Sequence, residues 1–406
     1  MISIQDALKL IADCVKPLGE APVSLQVAVG RRLFSPLKSD VDSPPHDKSL
    51  MDGYAIKASD VVQSNTRLRV IETITAGQIP TQTVVHRTAS RIMTGAPIPQ
   101  GADAVVMSEL TRPMELEGQA WVELDVDAIS SGASIMRCGQ SMQSGQSVFE
   151  AGHVIRSHDI GLLAEIGAAR PVVYRRPTIA VLSTGDELVD CASTPPPGKI
   201  RNSNEPMIAS LARKTSSAVV RLGNAADNVD DLRALVTQGL SADVLVLTGG
   251  VSEGIVDLVP KVLKEVGFEE VFHKVAIKPG KPLWFGTTVR NGRRQLAFGL
   301  PGNPVSSLVC FEVFVRFAIE RLGGSELTER QMIGATLSQA HQVRGPRPTF
   351  WPVRFVQLES ASRLVEPLLW QGSSDLRCLG LADALAFLPP RDTPYPAGHP
   401  VEILVL

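Results

Sequence analysis

Residues 242–250 read ADVLVLTGG. From Val244 to Leu247 the run is apolar with no alternation, and it stops at Thr248 and two glycines. A strand with one face in water alternates; a strand without a polar position is what burial on both faces requires, and such strands sit in sheets covered by helices on either side. Residues 178–185, TIAVLSTG, form a second run of this kind and end in a Gly-Asp turn. Between the two, 205–214 carry helical spacing, SAVVRLGNAAD (217–227) reads as a strand and DDLRALVTQGL (230–240) as a helix. Beyond them, VDLVPKVLKEVG (256–267) reads as a helix with Pro260 in its early part. The stretch 295–324, QLAFGLPGNPVSSLVCFEVFVRFAIERLGG, reads as a strand, a sharp turn and a long helix. This strand–helix alternation predicts an open, mostly parallel α/β sheet.

Outward from that core the texture changes. Residues 4–16 have apolar positions at helical spacing until Pro17, Gly19 and Pro22. The segment VSLQVAV (23–29) looks like a short strand. Residues 43–145 are rich in β-branched and turn residues and predict a β-rich module, with strands within LRVIETITAG, SRIMTGAPIP, ADAVVMSEL and AWVELDV. After Gly324 short alternating runs return (TFWPVRFVQL, ALAFLPP, PVEILVL), which predicts a small all-β C-terminal domain. A length of 406 residues suggests two or three domains from size alone.

Composition excludes several classes. Forty Lys and Arg against 42 Asp and Glu leave a net charge of −2, so a nucleic-acid coat, which would be basic, is not expected. Five cysteines, Cys14, Cys138, Cys191, Cys310 and Cys378, are scattered, odd in number and without metal-ligand spacing, which suits reduced thiols in a reducing compartment. Asp6, Lys9 and Asp13 interrupt the N-terminal apolar pattern, against a signal peptide. No apolar stretch is long enough to span a bilayer. The expectation is a cytoplasmic protein without a membrane or nucleic-acid partner.

In open α/β sheets ligands bind outside the carboxyl ends of the strands, and four loops here follow predicted strands. Ser183-Thr184-Gly185-Asp186-Glu187 places two acids after a buried strand, where they can bind Mg²⁺ or cap the next element. Thr248-Gly249-Gly250-Val251-Ser252-Glu253-Gly254 lets backbone N–H groups approach phosphate oxygens, with Asp257 just beyond; it is also readable as a tight turn. Ile277-Lys278-Pro279-Gly280-Lys281-Pro282 presents two lysines on a stiffened loop. Gly299 to Ser306, GLPGNPVS, is either an anion-friendly helix start or plain capping by Asn303. Together the loops predict a glycine-lined pocket holding acids and lysines, suited to a phosphate-bearing anion bridged by a divalent cation. Gly372-Ser373-Ser374 touches that pocket or only forms a turn. A fifth segment, residues 47–55 (DKSLMDGYA), reads either as a buried turn network or as a half-site supplied by another domain or subunit.

Six motifs in order, SLMDGYAI, RIMTGAPIPQGADAVV, STGDELV, LTGGVSEGIVD, IKPGKP and LPGNPVSS, resemble the motif series of the MoeA family, which also includes the C-terminal domain of gephyrin. The resemblance runs from residue 1 to about 325 and weakly beyond. It implies four modules: a linker domain (21–42 and 146–176), a β-rich inserted domain (43–145), a MogA-like α/β molybdopterin-binding domain (1–20 and 177–324) and a C-terminal β-barrel-like domain (325–406). It implies a homodimeric molybdopterin molybdenumtransferase that takes adenylyl-molybdopterin and molybdate as substrates and uses Mg²⁺, with AMP released. A MogA-like adenylyltransferase and molybdoenzymes are the candidate partners. The implied catalytic residues are Asp52, Asp227, Asp257, Lys278 and Lys281, with Asp52 supplied by the other subunit. Thr94, Gly249, Gly250, Ser252, Pro301, Asn303 and Ser306 would hold the substrates, and Asp186, Glu187 and Asp257 the metal.

The chain also departs from the family pattern. Gly139-Gln140-Ser141 stands where the family commonly has G-E-D, and Asn202 replaces the acid of a D-[ST]-N stretch. The changes remove up to three negative charges. They motivate an alternative reading, a catalytically weakened scaffold that binds or carries molybdopterin or the finished cofactor. An adenylyltransferase acting on molybdopterin is a third reading, disfavoured by the extra N-terminal modules.

Overall fold

A computed structural model describes residues 1–215, 217–251, 258–327, 329–356 and 363–406. The chain forms two compact units, one of Met1–Phe34, Gly152–Ser157 and Pro171–Leu406, the other of Ser35–Ala151 and His158–Arg170.

The larger unit contains a six-stranded sheet in the order Ala218–Ala225, Thr178–Thr184, Val244–Thr248, Arg293–Leu300, Trp284–Arg290, Glu269–His273. The first four strands are parallel; Trp284–Arg290 runs antiparallel to both its neighbours. Val244–Thr248 is paired on both sides and buried at all five positions, which is why its sequence carries no polar residue before Thr248. Helices Asn204–Lys214, Val229–Gly239 and Val259–Glu265 connect the strands. The two strands at the far edge were not legible in sequence: EEVFH offers one buried position, and neither run has the unbroken apolar signature.

Helix Ile4–Cys14 forms where the spacing predicts it. Ser3 and Asp6 make a capping box, with the Ser3 hydroxyl accepting the Asp6 N–H at 3.0 Å and Asp6 accepting the Ser3 N–H at 3.4 Å. Its apolar stripe, Ile4, Ala7, Leu8 and Ile11, joins the core that also holds Phe298, Phe311 and Phe314. At about 1.5–3 kcal/mol per fully buried large aliphatic side chain, this stripe fastens the N-terminus to the α/β layer.

Two expectations need correcting. Residues 23–29 are not a strand: Leu25–Val27 is a 3₁₀ turn, with the N–H groups of Val27 and Ala28 bonded back to Ser24 and Leu25. The sequence alternates, but Val27 and Val29 are 56% and 46% exposed, so no buried face holds the segment extended. The long helix after the GNP turn is interrupted: Pro304–Cys310 and Arg316–Leu322 are α-helical, while Phe311–Val315 between them is π-helical. Glu312 in that turn is buried and paired with Arg316 and Arg330.

The C-terminal part of this unit is a closed five-stranded barrel of Ile333–Leu337, Leu364–Pro367, Thr349–Phe355, Ala384–Leu388 and Pro400–Val405, filled by Val353, Val365, Leu388 and Ile403. A short ladder pairs Glu20–Pro22 with Val172–Tyr174.

The smaller unit is built on a six-stranded sheet ordered Ala104–Met107, Gly53–Ile56, Thr88–Ile92, Thr66–Ile74, Gln119–Leu124, Thr111–Leu116. A second short ladder there joins Leu37–Lys38 to Ser147–Phe149. Among the described residues no helix is long and apolar enough to cross a membrane.

Candidate active site

The carboxyl ends of Thr178–Thr184, Val244–Thr248 and Arg293–Leu300 lie side by side in the sheet, so their three loops converge. Strand Glu269–His273 ends at the same edge, since His273, Trp284 and Gly299 share one register row. This brings the lysine loop to the same end.

A cavity of about 660 Å³ opens among these loops, lined by Glu187, Asp227, Gly249, Gly250, Pro301 and Asn303 among others. That is a small-molecule volume. Its floor depends on glycine. Gly249 has φ +93°, and a Cβ there would lie 2.6 Å from the Thr184 carbonyl oxygen, so no other residue fits without displacing the neighbouring strand. Two polar atoms of the lining, Thr184 Oγ1 and Asn204 Oδ1, are buried and make no hydrogen bond among the described residues. Buried polar atoms are almost always satisfied, so both are suited to meeting a ligand. Asn204 is anchored by donating to the Gly302 carbonyl at 2.6 Å.

Asp186 and Asp227 clasp each other across two loops. Asp227 N–H donates to Asp186 Oδ1 at 3.0 Å, and Asp186 N–H donates to Asp227 Oδ2 at 3.2 Å. Asp186 therefore does not cap the next element. Glu187 folds back over Gly185, where a Cβ would lie 2.3 Å from its Oε2. Among the described residues no three His, Cys, Asp or Glu side chains are grouped to hold a metal. The expected metal ligand and catalytic acid Asp257, and the expected phosphate contact Ser252, lie outside the described residues.

Asn202, the residue in place of an acid, uses its side-chain oxygen locally. It accepts the Ser183 hydroxyl at 3.2 Å and the Glu205 N–H at 3.2 Å, tying the end of a parallel strand to helix Asn204–Lys214.

A second cavity of about 480 Å³ shares Pro282, Pro301 and Asn303 with the first. It is lined by Lys278, Lys281, Ser306, Arg347, Trp351 and Trp370 among others. Lys278 Nζ donates to the Arg344 carbonyl at 3.1 Å, and Arg347 donates to the Ile277 carbonyl at 2.8 Å. The Lys281 ammonium and the buried Ser306 hydroxyl make no hydrogen bond among the described residues. Asn303 does not cap the following helix with its side chain. It donates to Ser373 Oγ at 2.9 Å and accepts from Ser374 Oγ at 3.0 Å, so the Gly372–Ser374 segment does touch the pocket.

Nothing in the sequence marks Arg347, and Trp351 and Trp370 lie in apolar runs that read as core, yet all three line this cavity. They come from the barrel and reach the lysine loop through the parallel bridge Lys278–Thr349. The two indoles meet edge to face at 5.0 Å.

The two predicted residues of the smaller unit are brought together there. Gly53 pairs with Ile92 in neighbouring strands, which sets Asp52 beside Thr94. The Thr94 N–H and hydroxyl both donate to Asp52 Oδ1 at 2.7 Å. Gly53 is obligatory, because a Cβ would lie 1.9 Å from the Val106 carbonyl oxygen. The backbone hydrogen bond from Thr94, then its hydroxyl, hold the Asp52 carboxyl below the usual carboxylate range. A folded pKa below the unfolded one gives stability that is full above the unfolded value and is lost as pH falls through the folded value. Thr94→Val should raise the Asp52 pKa toward that of a free aspartate, read by NMR titration of the carboxyl carbon. An unchanged value would show that the hydroxyl contributes nothing.

Residues 2–167 match the MoeA N-terminal region (domain I and II), 180–321 a probable molybdopterin binding domain, and 335–406 the MoeA C-terminal region (domain IV). The molybdopterin molybdenumtransferase of Staphylococcus aureus (strain Mu50) is 34% identical over 100% of this chain and 95% of its own. The chain belongs to the MoeA family. The Bacillus subtilis (strain 168) molybdopterin molybdenumtransferase is 32% identical over 100% of this chain and 94% of its own. The molybdopterin biosynthesis MoeA protein of Pyrococcus horikoshii OT3 superposes with a TM-score of 0.79 at 26% identity, covering 100% of both chains. The chain is thus an enzyme-family member with a role in molybdenum cofactor biosynthesis.

Proposed function

We propose that this chain inserts molybdate into adenylylated molybdopterin, with Mg²⁺ and with release of AMP. The observation that carries the reading is the pair of adjoining cavities that share Pro282, Pro301 and Asn303. One has a glycine floor and carboxylates at its rim, matching a phosphoanhydride and its counter-ion. The other gathers Lys278, Lys281 and Arg347 with the Ser306 hydroxyl, matching a small tetrahedral oxyanion such as molybdate. Thr248–Val251 backbone groups and Asn204 would hold the phosphates. Asn303, held by Ser373 and Ser374, would fix the boundary between the two substrates.

Glu187 and Asp227 line the first cavity, and one or two carboxylates suit Mg²⁺, which completes its shell with waters and substrate phosphates. The proposed holders are drawn from Asp186, Glu187, Asp227 and Asp257, and Mg²⁺ there would offset the charge that develops as the anhydride is cut. Asp52 and Thr94 are proposed to reach this site from the second subunit of a homodimer, where Thr94, which holds the Asp52 carboxylate, would help to hold molybdate. We also propose the four-module division given above, a cytoplasmic location, and exchange with a MogA-like adenylyltransferase and molybdoenzymes.

A second reading, the weakened scaffold, is favoured by Gln140, Ser141 and Asn202. Gln140 is employed structurally, its Oε1 accepting the Arg137 N–H at 2.9 Å. One experiment separates the readings. Purified protein with adenylyl-molybdopterin, molybdate and Mg²⁺ is expected to release AMP, with release abolished by EDTA and restored by Mg²⁺. No AMP from the native chain, with turnover appearing in Gln140→Glu/Ser141→Asp, would establish the scaffold instead.

A further inference from the structure

At the opposite, amino-terminal end of the parallel strands lies a third cavity, of about 550 Å³. Its walls come from the segment after helix Ile4–Cys14, from the start of strand Arg293–Leu300 and from Asp243, which precedes Val244–Thr248. Four cations line it: Lys16, Arg175, Arg293 and Arg294. The single acid, Asp243, is already engaged, accepting from Arg175 at 3.3 Å and from the Thr178 N–H at 2.9 Å. Arg294 donates to the Cys14 carbonyl at 3.3 Å. The side chains of Lys16 and Arg293 make no hydrogen bond or ion pair among the described residues. Leu18, Leu296 and Leu322 add an apolar wall.

Arg175 also lines a neighbouring recess of about 90 Å³ with Arg31, Arg32 and Arg176. Its acid, Glu320, is likewise taken, by Arg316 at 3.1 Å and Arg330 at 3.2 Å. Burial and then the nearby Arg176 hold the Arg31 guanidinium below its ordinary value. Seven basic side chains therefore converge on one edge of a chain whose net charge is −2. Like charges held together destabilise a fold unless an anion relieves them.

We infer that this edge of the sheet is a second binding site, for a small organic phosphate. The volume suits a small molecule rather than a protein segment. The cations suit phosphate oxygens, with arginine favoured for bidentate contact. The leucines suit an apolar or aromatic body, which inorganic phosphate lacks. The site faces away from the loop cavities and does not depend on the reaction proposed for them.

ADP and inorganic pyrophosphate are the probes, titrated calorimetrically into the full-length protein. ADP is expected to bind, and Arg293→Glu/Arg294→Glu to weaken it by at least about tenfold, a loss on the order of that seen for charge-assisted phosphate contacts. Both side chains are exposed, so the variant should fold, which its circular dichroism checks. Cys14 lines the cavity and is half-buried, so ADP should slow alkylation of the Cys14 peptide, read by mass spectrometry, without slowing that of Cys138 or Cys191. ADP binding that survives the double variant but is lost in Gly249→Val would place the ligand in the glycine-floored loop cavity and overturn the inference. So would no ADP binding, or pyrophosphate binding as tightly as ADP, which would leave the leucine wall without a role.

Discussion

Lys281→Ala is expected to lower kcat/KM for molybdate-dependent turnover by about 10²–10³-fold, the usual cost of removing one preorganised charge donor from a reacting site. The two lysines of the loop differ in what they bind. Lys278 is held by the Arg344 carbonyl and therefore also fastens the lysine loop to the barrel region. Lys281 is exposed and its ammonium makes no bond among the described residues, so it is left for a ligand. Its removal should not lower the unfolding temperature, whereas Lys278→Ala should lower it slightly as well as reducing turnover. Steady-state kinetics over a molybdate series, with thermal unfolding of the same samples, separates the two. A change of less than about threefold for Lys281→Ala would fall outside the range for such donors and would remove Lys281 from the site.

The α/β layer was legible because burial on both faces leaves a local mark: TIAVLST and VLVLT have no room for a polar alternation. Loops at the ends of such strands could then be assigned to one edge without knowing any distance. What could not be read is contact across long stretches of chain. Arg347 and Trp370 are about as ordinary in sequence as any arginine and tryptophan in a strand-rich region, yet both line the cavity of Lys278 and Lys281. The segment Gly372–Ser374 could be offered to the pocket, but its pairing with Asn303, some seventy residues away, could not be read. Asp52 and Thr94 are 42 apart and meet only because Gly53 and Ile92 share a register. In VSLQVAV the pattern misled because alternation reports a strand only when one set of residues is buried.

Gly249→Val should be the most damaging single change in the loop cavity. At φ +93° a β-branched residue is in a region L-residues avoid, at a cost on the order of 1–3 kcal/mol. The added Cβ would also lie 2.6 Å from the Thr184 carbonyl oxygen and 2.9 Å from Thr184 Oγ1, so the Thr178–Thr184 and Val244–Thr248 strand ends must separate. The combined loss is expected to exceed about 3 kcal/mol, in the range reserved for named steric or strain mechanisms. Urea unfolding should show it. Gly223→Ala is the control: Gly223 has φ +86°, but its Cβ would meet nothing within 4 Å, so strain acts there without the clash and the loss should be about 1 kcal/mol. If Gly249→Val retains its fold at low temperature, it should still fail to bind adenylyl-molybdopterin, because the displaced loop no longer aligns its N–H groups with Thr184 and Asn204. A variant as stable as Gly223→Ala that binds the nucleotide normally would mean that the glycine floor neither shapes the cavity nor supports the strands beneath it.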